Sequence, residues 1–497
     1  MNRTDIPDSN AGRHRVSILS GRRPDAAHWD GVQLCRLESR RNGRQECLRY
    51  GMSACSHRGA VAGRQNGIPF RVISACFALV YFGVGSLTAE TSNPTLQAQF
   101  DESERNPVGH AKEWITNIVV HTPEYRADIQ GDVTVSFRAS GMSHVRASCW
   151  QQPTAKEPSP WGHDSVIIPA IPLDEQGEGK FVFPADQYPH GPLTVRIHAR
   201  GEGQKQDICQ LQLYNKGGVR WKEGIPKTNP PAAQGMKLVF ADDFNGRLSI
   251  SHDGKGARYQ SHKTGGGDFS GWGFGNLEDG TNPFGQVDTY LRIRAAKRTD
   301  GKGSTGLLSS ANEERGGFYA AAPAYFECRF LAQSAPGTWP AFWLLSKGSL
   351  NKPNLHGTDE LDIIEAYGGL GWGNPNFPGY AVTSHYWGQK DSAGKPKKDD
   401  SLAAGVPMLE LGGKSSWSTT FHTYGLLLTE TDTVYYCDDI EVFRHPSGSI
   451  SKTEPFWFLI NYAIGGISGW KIDLERYKNA SDMYVDFVRV YAGGKRL

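Results

Sequence analysis

From Met236 to Tyr491 the chain is a succession of short segments in which apolar residues recur at every second position, with almost no helical periodicity among them. Successive side chains of a strand point to opposite faces, so each segment reads as a half-buried strand. A chain of such strands closes a core only by stacking or curling sheets. The pattern therefore predicts an all-β fold, a two-sheet sandwich of the jelly-roll type. Composition agrees: 59 Gly supply turns, and aromatic residues make up 11% of the chain, with 13 Trp. Most of those Trp are expected in the core, but Trp faces also stack on sugar rings.

The chain divides further. Residues 217–235 are rich in Gly and Pro and read as a linker. Ahead of them, residues 112–216 hold shorter alternating runs such as Asp132-Val133-Thr134-Val135-Ser136-Phe137 and Gln210-Leu211-Gln212-Leu213-Tyr214. Their length and turn spacing suggest an immunoglobulin-like β-sandwich, expected to fold on its own and to be dispensable for chemistry at 236–492. Residues 90–111 are polar and read as a second linker. Residues 1–89 read as an N-terminal extension ending in an export signal: Arg64 and Arg71 precede the apolar run 72–87, and Thr88 and Ala89 follow it. That run falls short of the roughly 20 residues of a membrane span. The expectation is a secreted or extracytoplasmic protein with no stable membrane association after cleavage near Ala89, and a monomer. Met52 would give a signal of more usual length.

The net charge of +2 argues against a nucleic-acid binder. Residues 1–71 hold 13 Arg, no Lys and 6 acids, so the rest of the chain is net acidic. Eight Cys are present without a Cys-x-x-Cys pair, which argues against a zinc site. Only Cys149, Cys209, Cys328 and Cys437 follow the signal, and an oxidising compartment would allow Cys149 and Cys209 to bridge.

The chemistry concentrates in Thr358-Asp359-Glu360-Leu361-Asp362-Ile363-Ile364-Glu365-Ala366-Tyr367. In a regular strand Glu360 and Asp362 share one face, and Ile364 would come next on it. One extra residue, a β-bulge, would bring Glu365 to that face instead. Three carboxylates packed together repel unless one holds a proton. A glycosidase needs that state: one ionised carboxylate and one carboxylic acid. An acidic edge strand or a calcium loop is the alternative, and the interleaved Leu and Ile argue against it.

The run resembles the E-x-D-x-x-E signature of glycoside hydrolase family 16, in the bulged form of its laminarinase-, agarase- and carrageenase-like members. Supporting matches run in order through Phe240-Ala241-Asp242-Asp243-Phe244, Gly337-Thr338-Trp339-Pro340-Ala341-Phe342-Trp343 and Tyr484-Val485-Asp486-Phe487-Val488. The resemblance implies a jelly roll with a cleft across one sheet. It implies Glu360 as nucleophile, Asp362 as its helper and Glu365 as acid/base. The implied reaction is retaining endo-hydrolysis of internal β-glycosidic bonds in a polysaccharide, a β-glucan or galactan. A glycan-binding protein or a transglycosylase on the same scaffold is the alternative, and the presence of all three acids weighs against loss of catalysis.

Substrate-binding residues are expected at Trp339 and Trp343, four apart around Pro340, and at His385 and Trp387, which share a face. Trp417, Asn461 and Trp470 are weaker candidates. No cofactor is required. The resemblance is compatible with a structural calcium using Asp486, although Gln286-Val287-Asp288-Thr289-Tyr290-Leu291 departs from the family's usual partner segment.

Overall fold

The computed structural model describes residues 116–493, except 152–162, 266, 352–353, 355, 370–378, 392–394, 396, 409–410 and 412–415, together with the backbone of Leu34–Cys35 and Glu113–Trp114. The expected signal at 72–87, and almost all of the expected extension and linker over residues 1–111, lie outside the described residues. No helix among the described residues is long and apolar enough to cross a membrane.

Beyond residue 236 two sheets stack. The acid-bearing sheet runs in order through Asp400–Val406, Tyr380–Trp387, Thr358–Glu365, Thr338–Ser346, Phe456–Ile464 and Leu307–Ser309, with short strands beyond both ends. The opposing sheet runs through Tyr290–Lys297, Ala480–Ala492, Ala324–Ala332, His422–Leu428, Asp432–Cys437 and Ile440–Pro446. Alternation explains the stacking. Phe342, Leu344, Leu361, Val382, Phe458 and Ile460 point inward and share one buried cluster with Phe326, Phe330, Leu426, Val485 and Val490 of the other sheet. Each such side chain contributes about 1.5–3 kcal/mol on burial. The opposite parity, Trp339, Ala341, Trp343, Trp457, Leu459 and Ala463, forms a separate cluster on the outward face of the acid-bearing sheet.

The expected bulge is present. Asp362 opposes Thr383 and Glu365 opposes Ala381, so Ile363 and Ile364 together face the single residue Val382. On the other flank, adjacent Phe342 and Trp343 oppose Ile364 and Asp362. Ile363 and Ile364 are both fully buried. Two consecutive apolar side chains thus serve the core, and the register of everything after them moves by one.

Residues 116–216 form two further sheets. One contains Met142–Gln151, Gly191–Gly201 and Lys205–Asn215; the other contains Ile118–Thr122, Asp132–Ala139 and Glu178–Pro184. The alternating run Gln210-Leu211-Gln212-Leu213 lies in Lys205–Asn215. Gln210 and Gln212 are buried. Gln212 Nε2 donates to Ser334 O at 3.1 Å and to Ser481 Oγ at 2.9 Å, both beyond the linker. Gln333 Nε2 donates back to Leu193 O at 3.2 Å. The first domain therefore docks on the second through buried polar contacts.

The anticipated bridge between Cys149 and Cys209 does not form. Cys149 pairs with Val195 and Cys209 with Ile197, on opposite flanks of one strand. Two strand spacings separate them, about 9.6 Å, which exceeds the ~7 Å reach of a disulfide.

Asp486 meets a different partner from the calcium that the resemblance allowed. Its Oδ2 accepts from Arg329 Nε at 2.5 Å, and its Oδ1 accepts from Gly224 N at 2.8 Å. Arg329 in turn donates to the carbonyls of Lys222 and Gly224 and lies over the rings of Trp221 and Phe487. A guanidinium already neutralises the buried carboxylate and ties the linker down, so these residues do not fit a divalent ion. Chelator or added calcium should leave the melting temperature unchanged. Arg329→Met should lower stability by about 3–5 kcal/mol, the cost of stranding a buried charge. Calorimetry with and without chelator checks both; a chelator-sensitive wild type would contradict this assignment.

Candidate active site

The bulge sets the local geometry. Glu360, Asp362 and Glu365 lie on the outward face, between the strands carrying Trp339 and Trp343 on one side and His385 and Trp387 on the other. Each acid has a designated partner. Trp387 Nε1 donates to Glu360 Oε2 at 3.2 Å. Trp339 Nε1 donates to Glu365 Oε1 at 3.1 Å. His385 Nε2 meets Asp362 Oδ2 at 3.3 Å. An oxygen of Glu360, an oxygen of Asp362 and a ring nitrogen of His385 lie within 4.8 Å of one another.

Burial first, and the Asp362 carboxylate second, push Glu360 up to about 7, against the pull of His385, Lys263 and the Trp387 N–H. Burial and then Asp362 push Glu365 higher, to about 8, with Glu360 adding to the rise and His385 and the Trp339 N–H opposing it. Burial works against a charge on His385, but its hydrogen bond to Asp362 and the surrounding carboxylates outweigh that and raise it to about 9. The His385 ring stacks on Trp387 at 4.7 Å and 14°. A cationic imidazole is thereby held against both an acid and an aromatic face.

All seven residues expected from the sequence at this site are brought together. Trp343 is held by Asn461, whose Oδ1 accepts from Trp343 Nε1 at 2.8 Å while its Nδ2 donates to Trp339 O at 3.2 Å. Asn461 is a support within the sheet, buried to 1% exposure. Trp417 is a correction. It is fully buried in the inter-sheet core and donates to Gly379 O, so it cannot meet a ligand.

Other members were missed. Phe269 lies edge-on to both Trp339 and Trp343, at 5.5 and 5.7 Å. Lys263 sits 5.5 Å from the Trp343 ring centre. Both come from a loop without periodicity, which gave no signal. Tyr367 stacks on Trp339 at 6.0 Å and packs on Trp470 at 5.1 Å. Its spacing of two from Glu365 was a usable signal that both face the same way.

The raised proton affinity of Glu365 has a consequence for stability. In the unfolded chain this carboxyl titrates near 4.3; folded, it binds its proton more tightly. Between those values the folded state holds the extra proton, so stability falls as pH rises from about 4 to about 8. Glu365→Gln removes that loss. Its melting temperature should exceed the wild type's by a margin that grows across this window, each pKa unit of elevation being worth about 1.4 kcal/mol. A margin independent of pH, seen by calorimetry from pH 4 to 9, would contradict the raised affinity.

Comparison with known proteins finds similarity over this part of the chain. Residues 318–471, which include all three acids, match the model of Glycosyl hydrolases family 16. An endo-1,3-1,4-beta-glycanase, EglC, of Rhizobium meliloti (strain 1021) is 30% identical over 219 residues, covering 42% of this chain and 40% of the relative. A glucan endo-1,3-beta-glucosidase A1 of Niallia circulans is 28% identical over 300 residues, covering 52% of this chain and 38% of the relative. The chain thus spans about two-fifths of the length of these relatives. The laminarinase catalytic domain of Thermotoga maritima MSB8 aligns over 53% of this chain and 100% of its own, at 19% identity and a TM-score of 0.40. Through its second domain, the chain is similar to glycosyl hydrolases family 16.

Proposed function

We propose that the protein is an endo-acting β-glucan hydrolase that cleaves internal bonds by double displacement with net retention. The observation that carries the proposal is the bulge at Ile363 and Ile364, which brings Glu360, Asp362 and Glu365 to one face among tryptophans. In this reading Glu360 attacks the anomeric carbon and Glu365 protonates the departing oxygen. Glu365 then takes the proton from the water that releases the glycosyl-enzyme. Both carboxyls are raised well above an ordinary glutamate, so one of the pair can keep its proton near neutrality. Asp362, linked to His385, keeps the two affinities elevated and fixes the ring that faces them.

The activities of the relatives favour β-1,3 or mixed β-1,3-1,4 glucans as substrate. The rings of Trp339, Trp343, Phe269 and Tyr367 supply flat apolar faces suited to sugar rings and carry no charge that would demand a sulfated chain. A polysaccharide substrate also places the reaction outside the cytoplasm, in keeping with the expected export signal. No cofactor enters any step.

The roles separate in two variants. Glu360→Ala should abolish turnover on every substrate. Glu365→Ala should lose about 10²–10⁴-fold on polysaccharide but retain the first step on an aryl glycoside, whose leaving group needs little protonation. Added azide should then yield a β-glycosyl azide from Glu365→Ala and an α-azide from Glu360→Ala, read by proton NMR. An α-azide from Glu365→Ala would reverse the assignment. A wild type that releases no reducing sugar from laminarin or mixed-linkage glucan would refute the activity.

A further inference from the structure

Several buried contacts between the two domains fall on one segment of the second, residues 465–481. Asp207 lies at the junction, 4% exposed. Its Oδ2 accepts from the backbone of Asn117 and Ile118, each at 2.8 Å, and from Arg476 Nη2 at 2.7 Å. Arg126 Nη1 donates to Tyr477 O at 2.7 Å and to Ala480 O at 2.8 Å. Tyr125 meets the Tyr477 ring edge-on at 5.5 Å. Gln212 reaches Ser481 and Ser334.

The held segment leads to the site. Six residues before Arg476 stands Trp470, packed on Tyr367, which stacks on Trp339, which donates to Glu365. Asp473 N donates to Pro336 O at 3.0 Å and Gly465 N to Gly337 O at 2.7 Å, so the segment is stitched to the turn that opens the Trp339 strand. Gly337 adopts φ +97° there, and a side chain at it would come 2.8 Å from Ile472. The second grip acts on the same wall: Ser334, whose carbonyl Gln212 holds, accepts through its Oγ from Gly369 N, two residues past Tyr367.

We infer that the first domain is a structural part of the glycan cleft, and that Asp207 and Arg476 are positioning residues that set the Trp470–Tyr367 wall for a polysaccharide chain. This rests on the proposed glucanase activity. The physical reason is rigidity. A tail of turns carrying an aromatic platform loses conformational freedom each time it binds, unless something orders it beforehand. A charged pair with three further hydrogen bonds, sequestered between two domains, provides that order before substrate arrives.

The test uses the full chain. Asp207→Asn keeps the size and an acceptor oxygen for Asn117 and Ile118 but removes the charge that faces Arg476. Hydrogen exchange should quicken across residues 465–479 and not across the acid strand. KM on a long β-glucan should rise about five-fold, the loss expected when an aromatic contact loosens. The kcat on a short aryl glycoside should stay at the wild-type value. In a Trp470→Ala background the same substitution should add nothing to KM. Unchanged exchange, or a KM effect that adds fully to that of Trp470→Ala, would overturn the inference. If Asp207→Asn fails to fold, Gln212→Met, which releases Ser334 and Ser481, must give the same exchange and KM changes or the inference falls. A wild type without glucanase activity would refute the proposed function, while the exchange measurement would still decide whether the first domain orders this wall.

Discussion

Two isoleucines opposite one valine determine the geometry of the candidate active site. A regular strand through Glu360 would present Asp362 and then Ile364 outward, and would turn Glu365 into the core. Ile363 and Ile364 both enter the core against Val382, and the strand resumes one residue out of step. The hydrophobic gain from two buried isoleucines, about 1.5–3 kcal/mol each, supports the irregularity. The cluster of acids it creates is electrostatically unfavourable. Burial first, and the neighbouring Asp362 carboxylate second, raise the proton affinities of Glu360 and Glu365, while the His385 ring and the N–H groups of Trp387 and Trp339 restrain the rise. The stability of the core thus offsets a charge arrangement that chemistry requires and folding opposes.

Much of this was legible in the sequence because it depends on period. Alternation in 236–491 gave the stacked sheets, and the break in alternation at Ile363-Ile364 gave the bulge. The same parity put Trp339 with Trp343 and His385 with Trp387. Residues that act from loops were not legible. Lys263 and Phe269 reach the site from a stretch without periodicity, and Trp417, a plausible sugar platform by type, is consumed by the core. Residue type alone cannot separate a buried indole from an exposed one.

In the first domain the strands were legible but not what their faces meet. For glutamines, such as those at alternate positions of Lys205–Asn215, solvent is the commonest partner. Here the partner is the backbone and a hydroxyl of another domain. Alternation reports which residues share a face but not what that face meets. The linker carries a similar lesson. Its Gly and Pro suggested a loose tether, yet Gly224 and Lys222 are pinned by Arg329, whose guanidinium occupies the carboxylate that a calcium ion would otherwise need.

The central claim is that the bulged cluster separates the ionisation of two neighbouring glutamates. Carbon-13 NMR of the side-chain carboxyls, with Glu360→Gln and Glu365→Gln for assignment, measures it directly. The pair should ionise in two steps, both well above the range of an ordinary glutamate. Ionisation of both between pH 4 and 5 would contradict the account.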